Sequence, residues 1–329
     1  MNIPHEDITL VAACRNADKL LPGFSGEVRV GDLRDADYLD RMLVGIDIVC
    51  HAAGWSSLEN SADICRVAYL EPTLDLIQRA IEWRVKRLVN LSSLFVAPAR
   101  QRNNSAATGK PLASTPMMNC LIAVEDYLRT LTDCRTQFIN LRPGIYAGKR
   151  MNISLLALLL NRGSQASSGL PYLSGSLGYF PLIDGKDIGQ AFARAALAPI
   201  EQNYACLNIS GPETPEQSEA MAFIRQHINQ APLSWGYPKS LAPQISGPLS
   251  LLTLWLKSRS RLADGHSLLS HAMLEMLKCP PINNSQAQSL IGYDPEISWQ
   301  ASLLETLNDY KNHHLSNQFS LPYKPLHLD

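Results

Sequence analysis

The chain has 329 residues, of which 46% are hydrophobic and 18% are charged, and its formal net charge is -1. This composition is typical of a packed globular protein, with one large domain or a domain plus a smaller lobe, and excludes a disordered chain. A balanced charge without a run of one sign also excludes nucleic-acid binding through a basic surface.

The seven cysteines are scattered and include no Cys-x-x-Cys pair, so we expect a reduced, cytoplasmic protein. Residues 1–7 lack a basic region followed by an apolar stretch, and no secretory signal is predicted. The most apolar tract, Leu249–Leu256, is shorter than the roughly 20 residues that span a bilayer. It is predicted to form a buried helix or a lid over an apolar pocket; the alternative is contact with a membrane surface.

Predicted strands and helices alternate through the first half of the chain. Apolar runs predict strands at 8–14, 27–30, 46–50, 87–91 and 138–141, and helical spacing predicts helices at 37–43, 61–83 and 116–130. This alternation predicts an α/β fold, in which a parallel sheet has helices on both faces and ligands bind at the carboxyl ends of the strands. Those ends are Arg15, Asp32, residues 51–54, Ser92 with Ser93, and Arg142 with Pro143.

The pattern loosens after residue 150. Residues 163–178 are predicted to be a Gly- and Ser-rich loop, residues 206–209 a strand, and residues 231–248 irregular. We therefore expect a domain of the dinucleotide-binding type over 1–150 and a mixed substrate lobe, with returning sheet segments, over 151–329. No internal repeat and no metal-ligand motif is found in the sequence.

Five segments, in this order, carry a family resemblance. They are Gly-Asp-Leu-Arg-Asp at 31–35, Asp-Ile-Val-Cys-His-Ala-Ala at 47–53, the strand ending in Ser-Ser at 92–93, Leu-Arg-Pro-Gly-Ile-Tyr at 141–146, and Leu-Ile-Gly-Tyr-Asp-Pro at 290–295. Together they resemble an extended short-chain dehydrogenase, of the NAD(P)-dependent epimerase/dehydratase and 3β-hydroxysteroid dehydrogenase-like group.

The resemblance implies a Rossmann-like, doubly wound parallel sheet with a small C-terminal substrate lobe, and oxidoreductase or epimerase chemistry with NAD(P). The cofactor-binding positions it implies are Arg15, Asp32, Ala52, Ala53, Arg142 and Pro143.

One departure from the family lies at the start of the fold. The family opens with a strand and a Gly-x-x-Gly-x-x-Gly turn that binds the cofactor pyrophosphate, and this sequence starts at what resembles the second strand. We therefore expect NAD(P) binding to be weak or absent. A missing central strand leaves three outcomes: its neighbours close on each other, another segment or a partner fills the gap, or the gene product begins upstream.

A second departure affects catalysis. The family uses Tyr-x-x-x-Lys on one helix, where the phenol moves a proton and the ammonium lowers its pKa. If Glu125 is aligned with the Glu that follows the Lys by four, Met117 and Leu121 occupy the Tyr and Lys positions. Ser93 is the residual member of the catalytic set. Tyr69 stands where the family has an Asn, and is the alternative proton donor.

Several polar residues also have structural interpretations. Ser92 and Ser93 either bind substrate or cap the strand end, and the capping role is favoured. His51 is expected to be buried and hydrogen-bonded rather than catalytic, and Asp187 is expected to brace a loop rather than act as a base.

Three functional hypotheses follow. The first is a degenerate, non-catalytic or strongly impaired short-chain dehydrogenase, a pseudoenzyme that binds an apolar small molecule or a protein partner. The alternative is an active NAD(P)-dependent oxidoreductase or epimerase, of sterol or aldehyde-reductase type, with a mis-assigned start and a non-standard proton donor. The third is a structural subunit of a homo- or hetero-oligomer.

Overall fold

The computed structural model describes residues 8–54, 61–131, 134–149, 178–228, 275–276 and 278–315. The irregular segment predicted at 231–248, the apolar tract Leu249–Leu256 and nearly all of the loop predicted at 163–178 lie outside these ranges. In the described part of the chain, no helix combines the length and the hydropathy needed to cross a bilayer.

The described residues contain strands and helices in alternation. The strands are β1 (Val11–Cys14), β2 (Glu27–Val30), β3 (Ile48–His51), β4 (Arg87–Leu91), β5 (Gln137–Pro143), β6 (Ile145–Ala147), β7 (Leu182–Asp184) and β8 (Tyr204–Ile209). The helices are α1 (Ala36–Leu43), α2 (Ala62–Cys65), α3 (Glu71–Glu82), α4 (Pro116–Thr130), α5 (Gly185–Leu197), α6 (Gln217–Ile228), α7 (Ser285–Ile291) and α8 (Trp299–Leu315). Short 3-10 turns cover Ala17–Lys19, Leu94–Val96 and Ala99–Gln101.

The helix predicted at 61–83 is divided in the structure. A π-helical segment, Arg66–Leu70, separates α2 from α3, and the Glu71 N–H donates to the Arg66 carbonyl five residues back. Pro72 stands in the first turn of α3 and has no N–H to donate. A proline removes one i→i−4 hydrogen bond and its ring clashes with the carbonyl four residues back, so the regular α-helical ladder is interrupted next to it.

The strands form separate sheets. β1 and β2 form a parallel pair, β3, β4, β5 and β8 are hydrogen-bonded in that order, and β6 pairs with β7 in parallel. With the flanking helices, this is the α/β, Rossmann-like architecture that the sequence predicted. Within the described strands β1 is bonded to β2 and not to β3, so direct closure of these two strands, one of the three predicted outcomes, is not seen among them.

The chain divides into two compact units. The first comprises Met1–Leu91, Pro116–Asn140 and Glu201–Ala205; the second comprises Ser92–Thr115, Leu141–Ile200 and Cys206–Asp329. These units interleave along the sequence, and the boundary expected near residue 150 stays a prediction.

Each unit has its own apolar core. In the first, α1 packs on α3, and α4 packs on α2 and on the π-helical segment. Its core includes Ile77, Leu88 and Leu128, all at 0% exposure. In the second, α8 packs on α6, β6 and β7. Leu207 and Leu303 are fully buried there, and a buried Leu contributes about 1.5–3 kcal/mol relative to an exposed one.

Candidate functional site

Helix α4 carries the two positions where the family resemblance expects Tyr and Lys. Met117 and Leu121 are one helical turn apart, so they share a face of α4. Met117 is 8% exposed and Leu121 is half-buried. A thioether and an isobutyl group cannot exchange a proton at any accessible pH, so these two positions of α4 offer apolar surface and no acid–base group.

A buried polar chain fixes how α4 sits on the sheet of the first unit. Glu125, one turn after Leu121, accepts a hydrogen bond from Asn140 Nδ2 at 2.7 Å and from Arg129 Nη2 at 3.0 Å. Asn140 Oδ1 in turn accepts from Asn90 Nδ2 at 2.7 Å. Because Glu125 is 2% exposed and both Asn residues are at most 1% exposed, this chain ties α4 to β4 and β5.

The sequence analysis did not predict this series of buried hydrogen bonds. The available signal was an Asn in the middle of each of two apolar strands, since a buried amide requires a hydrogen-bond partner.

Helix α4 does contain one phenol and one cation, but not at catalytic spacing. Tyr127 and Arg129 are two residues apart, which places them on different faces of the helix. The Tyr127 hydroxyl donates to Gln78 Oε1 at 3.3 Å, and Arg129 pairs with Glu125 and Asp126. Neither side chain replaces the Tyr and Lys of the family.

Tyr69, the alternative proton donor, lies in the π-helical segment that packs on α4. It is 3% exposed, and its ring stacks on His51 with centroids 6.5 Å apart. His51 Nε2 is 3.2 Å from Thr73 Oγ1, so His51 is buried and hydrogen-bonded as expected. Burial lowers the pKa of His51 to about 4. A neutral imidazole does not lower the pKa of a neighbouring phenol as an ammonium does.

The cofactor positions predicted in the first unit lie at the ends of its strands. Arg15, Ala52 and Ala53 are exposed. Asp32 accepts hydrogen bonds from Arg34 Nε at 3.0 Å and Nη2 at 2.9 Å, and the hydrogen bonds from Arg34 hold the pKa of Asp32 below its usual range. Cofactor contact at these positions stays a prediction.

The N-terminus of α1 is the helix start that follows β2, and it fits a pyrophosphate poorly. The Asp35 carboxylate caps it by accepting from the Asp37 and Tyr38 N–H groups. These are the donors a phosphate would use, and the capping carboxylate would repel it. The residues at this helix start therefore do not supply a pyrophosphate site.

The other predicted site residues belong to the second unit and have structural partners there. The Ser93 hydroxyl accepts from the Phe95 N–H at 3.3 Å, which is the capping role. Ser92 is buried and its N–H donates to the Leu141 carbonyl. Arg142 is 1% exposed and donates to the carbonyls of Ser105 and Ala107, and Pro143 is buried.

A buried arginine in the second unit was not predicted. Arg102 is fully buried, and its Nη1 donates to the carbonyls of Glu275 at 2.7 Å, Met276 at 3.3 Å and Lys278 at 3.0 Å. Its guanidinium also lies 5.0 Å from the ring centroid of Phe95. Arg102 thus holds two segments together that are more than 170 residues apart in sequence.

Acidic and phenolic groups of the second unit brace its loops. Asp187 accepts from the N–H groups of Glu296 and Ile297, the bracing role expected from the sequence. Tyr293, in the Leu-Ile-Gly-Tyr-Asp-Pro segment, donates its hydroxyl to the Ser210 carbonyl at 2.9 Å.

Two buried cysteine thiols do not ionise near neutral pH. Burial raises the pKa of the Cys120 and Cys279 thiols to about 11, which keeps them protonated and weakly nucleophilic. Over the ranges given for the fold, no three His, Cys, Asp or Glu side chains cluster in a way that could hold a metal ion.

Comparison with known proteins identifies the family. The model of the NAD dependent epimerase/dehydratase family matches residues 4–210, which is more than half of the chain. The chain therefore belongs to this family of extended short-chain dehydrogenases. No curated protein sequence matches it.

Solved structures agree on the fold. The crystal structure of gox2253 has a TM-score of 0.69 at 17% identity, covering 93% of this chain and 90% of that one. WbmG of Bordetella bronchiseptica in complex with NAD has a TM-score of 0.60 at 14% identity, covering 93% and 86%. UDP-glucose 4-epimerase of Thermotoga maritima with UDP-glucose has a TM-score of 0.64 at 12% identity, covering 94% and 93%.

Proposed function

We propose that this chain is a member of the epimerase/dehydratase family that has lost hydride transfer and acts by binding an apolar small molecule or a protein partner. The observation that carries the proposal is that Met117 and Leu121, which the family resemblance aligns with the Tyr and Lys, are apolar and share a face of α4.

Hydride transfer to or from a carbonyl carbon requires a proton to move at the oxygen. Met117 and Leu121 have no such proton. His51 has a pKa of about 4 and is neutral in the physiological range, so it is poorly matched to general acid–base work near neutral pH. The Ser93 hydroxyl accepts a backbone hydrogen bond, and a serine alone does not carry a proton relay.

We also propose that NAD(P) binding is weak or absent. The Asp35 carboxylate at the start of α1 and the engagement of Asp32 by Arg34 support this, since both reduce the donors and acceptors available to a dinucleotide. When it is bound, NAD(P) supplies the hydride acceptor or donor; the residues described here do not form its phosphate cradle.

The alternative is an active NAD(P)-dependent oxidoreductase or epimerase. Family membership favours it, and so does Tyr69, which lies in a π-helical segment packed on α4. π-helical turns often mark functional positions. In this alternative Tyr69 donates the proton in place of the family's Tyr.

Calorimetric titration of the full chain with NAD+, NADP+ and their reduced forms discriminates the two. The proposal predicts no saturable heat at cofactor concentrations up to about 1 mM, where a complex of roughly -4 kcal/mol would be half-formed. Saturable binding in the micromolar range would overturn the proposal for the cofactor. An Asp35→Asn variant serves as the matched control, because removing the repelling carboxylate should strengthen any residual phosphate binding.

A further inference from the structure

The second unit contains a cavity of about 510 Å³ at α8 and the start of α5. Its lining includes Lys149, which follows β6, Lys186 in the first turn of α5, Ile297, and Ala301, Glu305 and Asp309 of α8. All of these residues belong to the second unit. Small-molecule sites typically have volumes of about 300–1,000 Å³, so this cavity can hold a ligand of the size of an amino acid.

One wall of the cavity is a stripe of α8 that carries two carboxylates. Ala301, Glu305 and Asp309 follow one another at intervals of four residues, so their side chains lie on the same face of the helix. The side chain of Glu305 is 27% exposed, and Asp309 is half-buried. Like charges four residues apart on a helix are unfavourable, and a cationic group placed beside both carboxylates relieves this repulsion.

Two lysines give the cavity a positively charged side as well. Lys186 is exposed at the start of α5, where the helix dipole also presents partial positive charge. Lys149 Nζ lies 3.4 Å from Glu305 Oε1, and the Lys149 side chain is 73% exposed. An ion pair this exposed is weak, so a charged ligand can exchange with it at little cost in free energy.

We propose that this cavity binds a zwitterionic α-amino acid with an aliphatic side chain. The ammonium of the ligand pairs with Glu305 and Asp309, and its carboxylate pairs with Lys186 and Lys149. The inference goes beyond the proposed function, because the site uses no residue of α4 and no cofactor. It therefore holds whether or not hydride transfer is lost.

The balance of charges in the lining selects the ligand. Among the described residues that line the cavity, two ammonium groups face two carboxylates, and their sum is zero. A nucleotide or a metal ion, which carries charge of one sign, meets as many repelling groups as attracting ones. An α-amino acid carries one charge of each sign on the same carbon and satisfies both sides. Ile297 and Ala301 add apolar lining, against which an aliphatic side chain is removed from water.

The test uses the full-length chain and leucine as the probe, followed by saturation-transfer NMR. Two analogues with the same aliphatic group separate the two charges: isocaproate keeps the carboxylate and lacks the ammonium, whereas isoamylamine keeps the ammonium and lacks the carboxylate. We expect leucine to saturate the site with a dissociation constant on the order of 1 mM. Each analogue loses one charge-assisted contact and should bind at least about tenfold more weakly.

Variants on the two sides of the cavity locate the binding. Lys186→Gln removes the partner of the ligand carboxylate and Asp309→Asn the partner of its ammonium, and each should weaken leucine binding about tenfold. The matched control is Lys110→Gln, an exposed lysine outside the cavity, which should leave the affinity for leucine unchanged. Melting temperatures equal to that of the wild type show that the variants fold; if one does not fold, the three ligands on the wild type decide.

The absence of saturable leucine binding up to about 20 mM would overturn the inference. So would an analogue that binds as tightly as leucine, because one of the two charges would then play no part. An affinity that is the same in Lys186→Gln and Asp309→Asn as in the wild type would place leucine elsewhere on the chain and would also contradict the inference. No nicotinamide cofactor is added, so the outcome is independent of the calorimetric test of the proposed function.

Discussion

Replacing Glu125 should destabilise the first unit far more than replacing its exposed neighbour Asp126. In Glu125→Ala, the buried amide of Asn140 loses an acceptor at 2.7 Å, which costs about 2 kcal/mol. Arg129, whose side chain is 22% exposed, loses one of its two carboxylates, which costs less than about 1 kcal/mol. We expect a loss of about 3 kcal/mol in the free energy of unfolding.

Urea unfolding followed by circular dichroism measures this loss. The control is Asp126→Ala, which removes a half-exposed carboxylate from the same Arg129 and should cost less than about 1 kcal/mol. Glu125→Gln keeps an acceptor for Asn140 but exchanges the oxygen that accepts from Arg129 for an amide NH2 group, so it should cost about 1 kcal/mol. If Glu125→Ala were no more destabilising than Asp126→Ala, the polar chain would not hold α4 in its register.

Two further groups give predictions in the same assay. The pKa of His51 lies at about 4, below its ordinary 6.5, so the unfolded chain binds more protons between these values. The contribution of neutral His51 to the free energy of unfolding should be fully present above pH 6.5 and fall by up to about 3 kcal/mol towards pH 4. The His51→Gln variant should show a weaker dependence of the free energy of unfolding on pH. Arg102→Met leaves three carbonyls without their donor and should cost about 3 kcal/mol, against less than about 0.5 kcal/mol for the exposed Arg100→Met.

The sequence predicted the first half of the fold well because its elements are long or strongly patterned. The bounds of β2, β4 and α4 agree with the prediction residue for residue. The break between α2 and α3 was missed, since helical spacing continues through Arg66–Leu70 and only Pro72 hints at a wider turn.

Beyond residue 150 the sequence predicted little, for physical reasons. β7 has only three residues, which is too short for a period to emerge. The contacts of Arg102 join positions 173 or more residues apart, and local pattern does not carry such pairings. For the site, the apolar positions Met117 and Leu121 could be identified from the family resemblance. The partners of Ser93 and Arg142 required coordinates.

Turnover by the full chain tests the loss of the proton relay most directly. UDP-glucose, UDP-galactose and a panel of simple aldehydes are each incubated with NAD(P) in large excess over the protein, and epimer formation and nicotinamide oxidation state are followed in the wild type, Tyr69→Phe and Ser93→Ala. We predict no product above the rate without protein in any of the three. Product that forms with the wild type and disappears in either variant would contradict the loss of catalysis, because a relay that does not use positions 117 and 121 would then be at work.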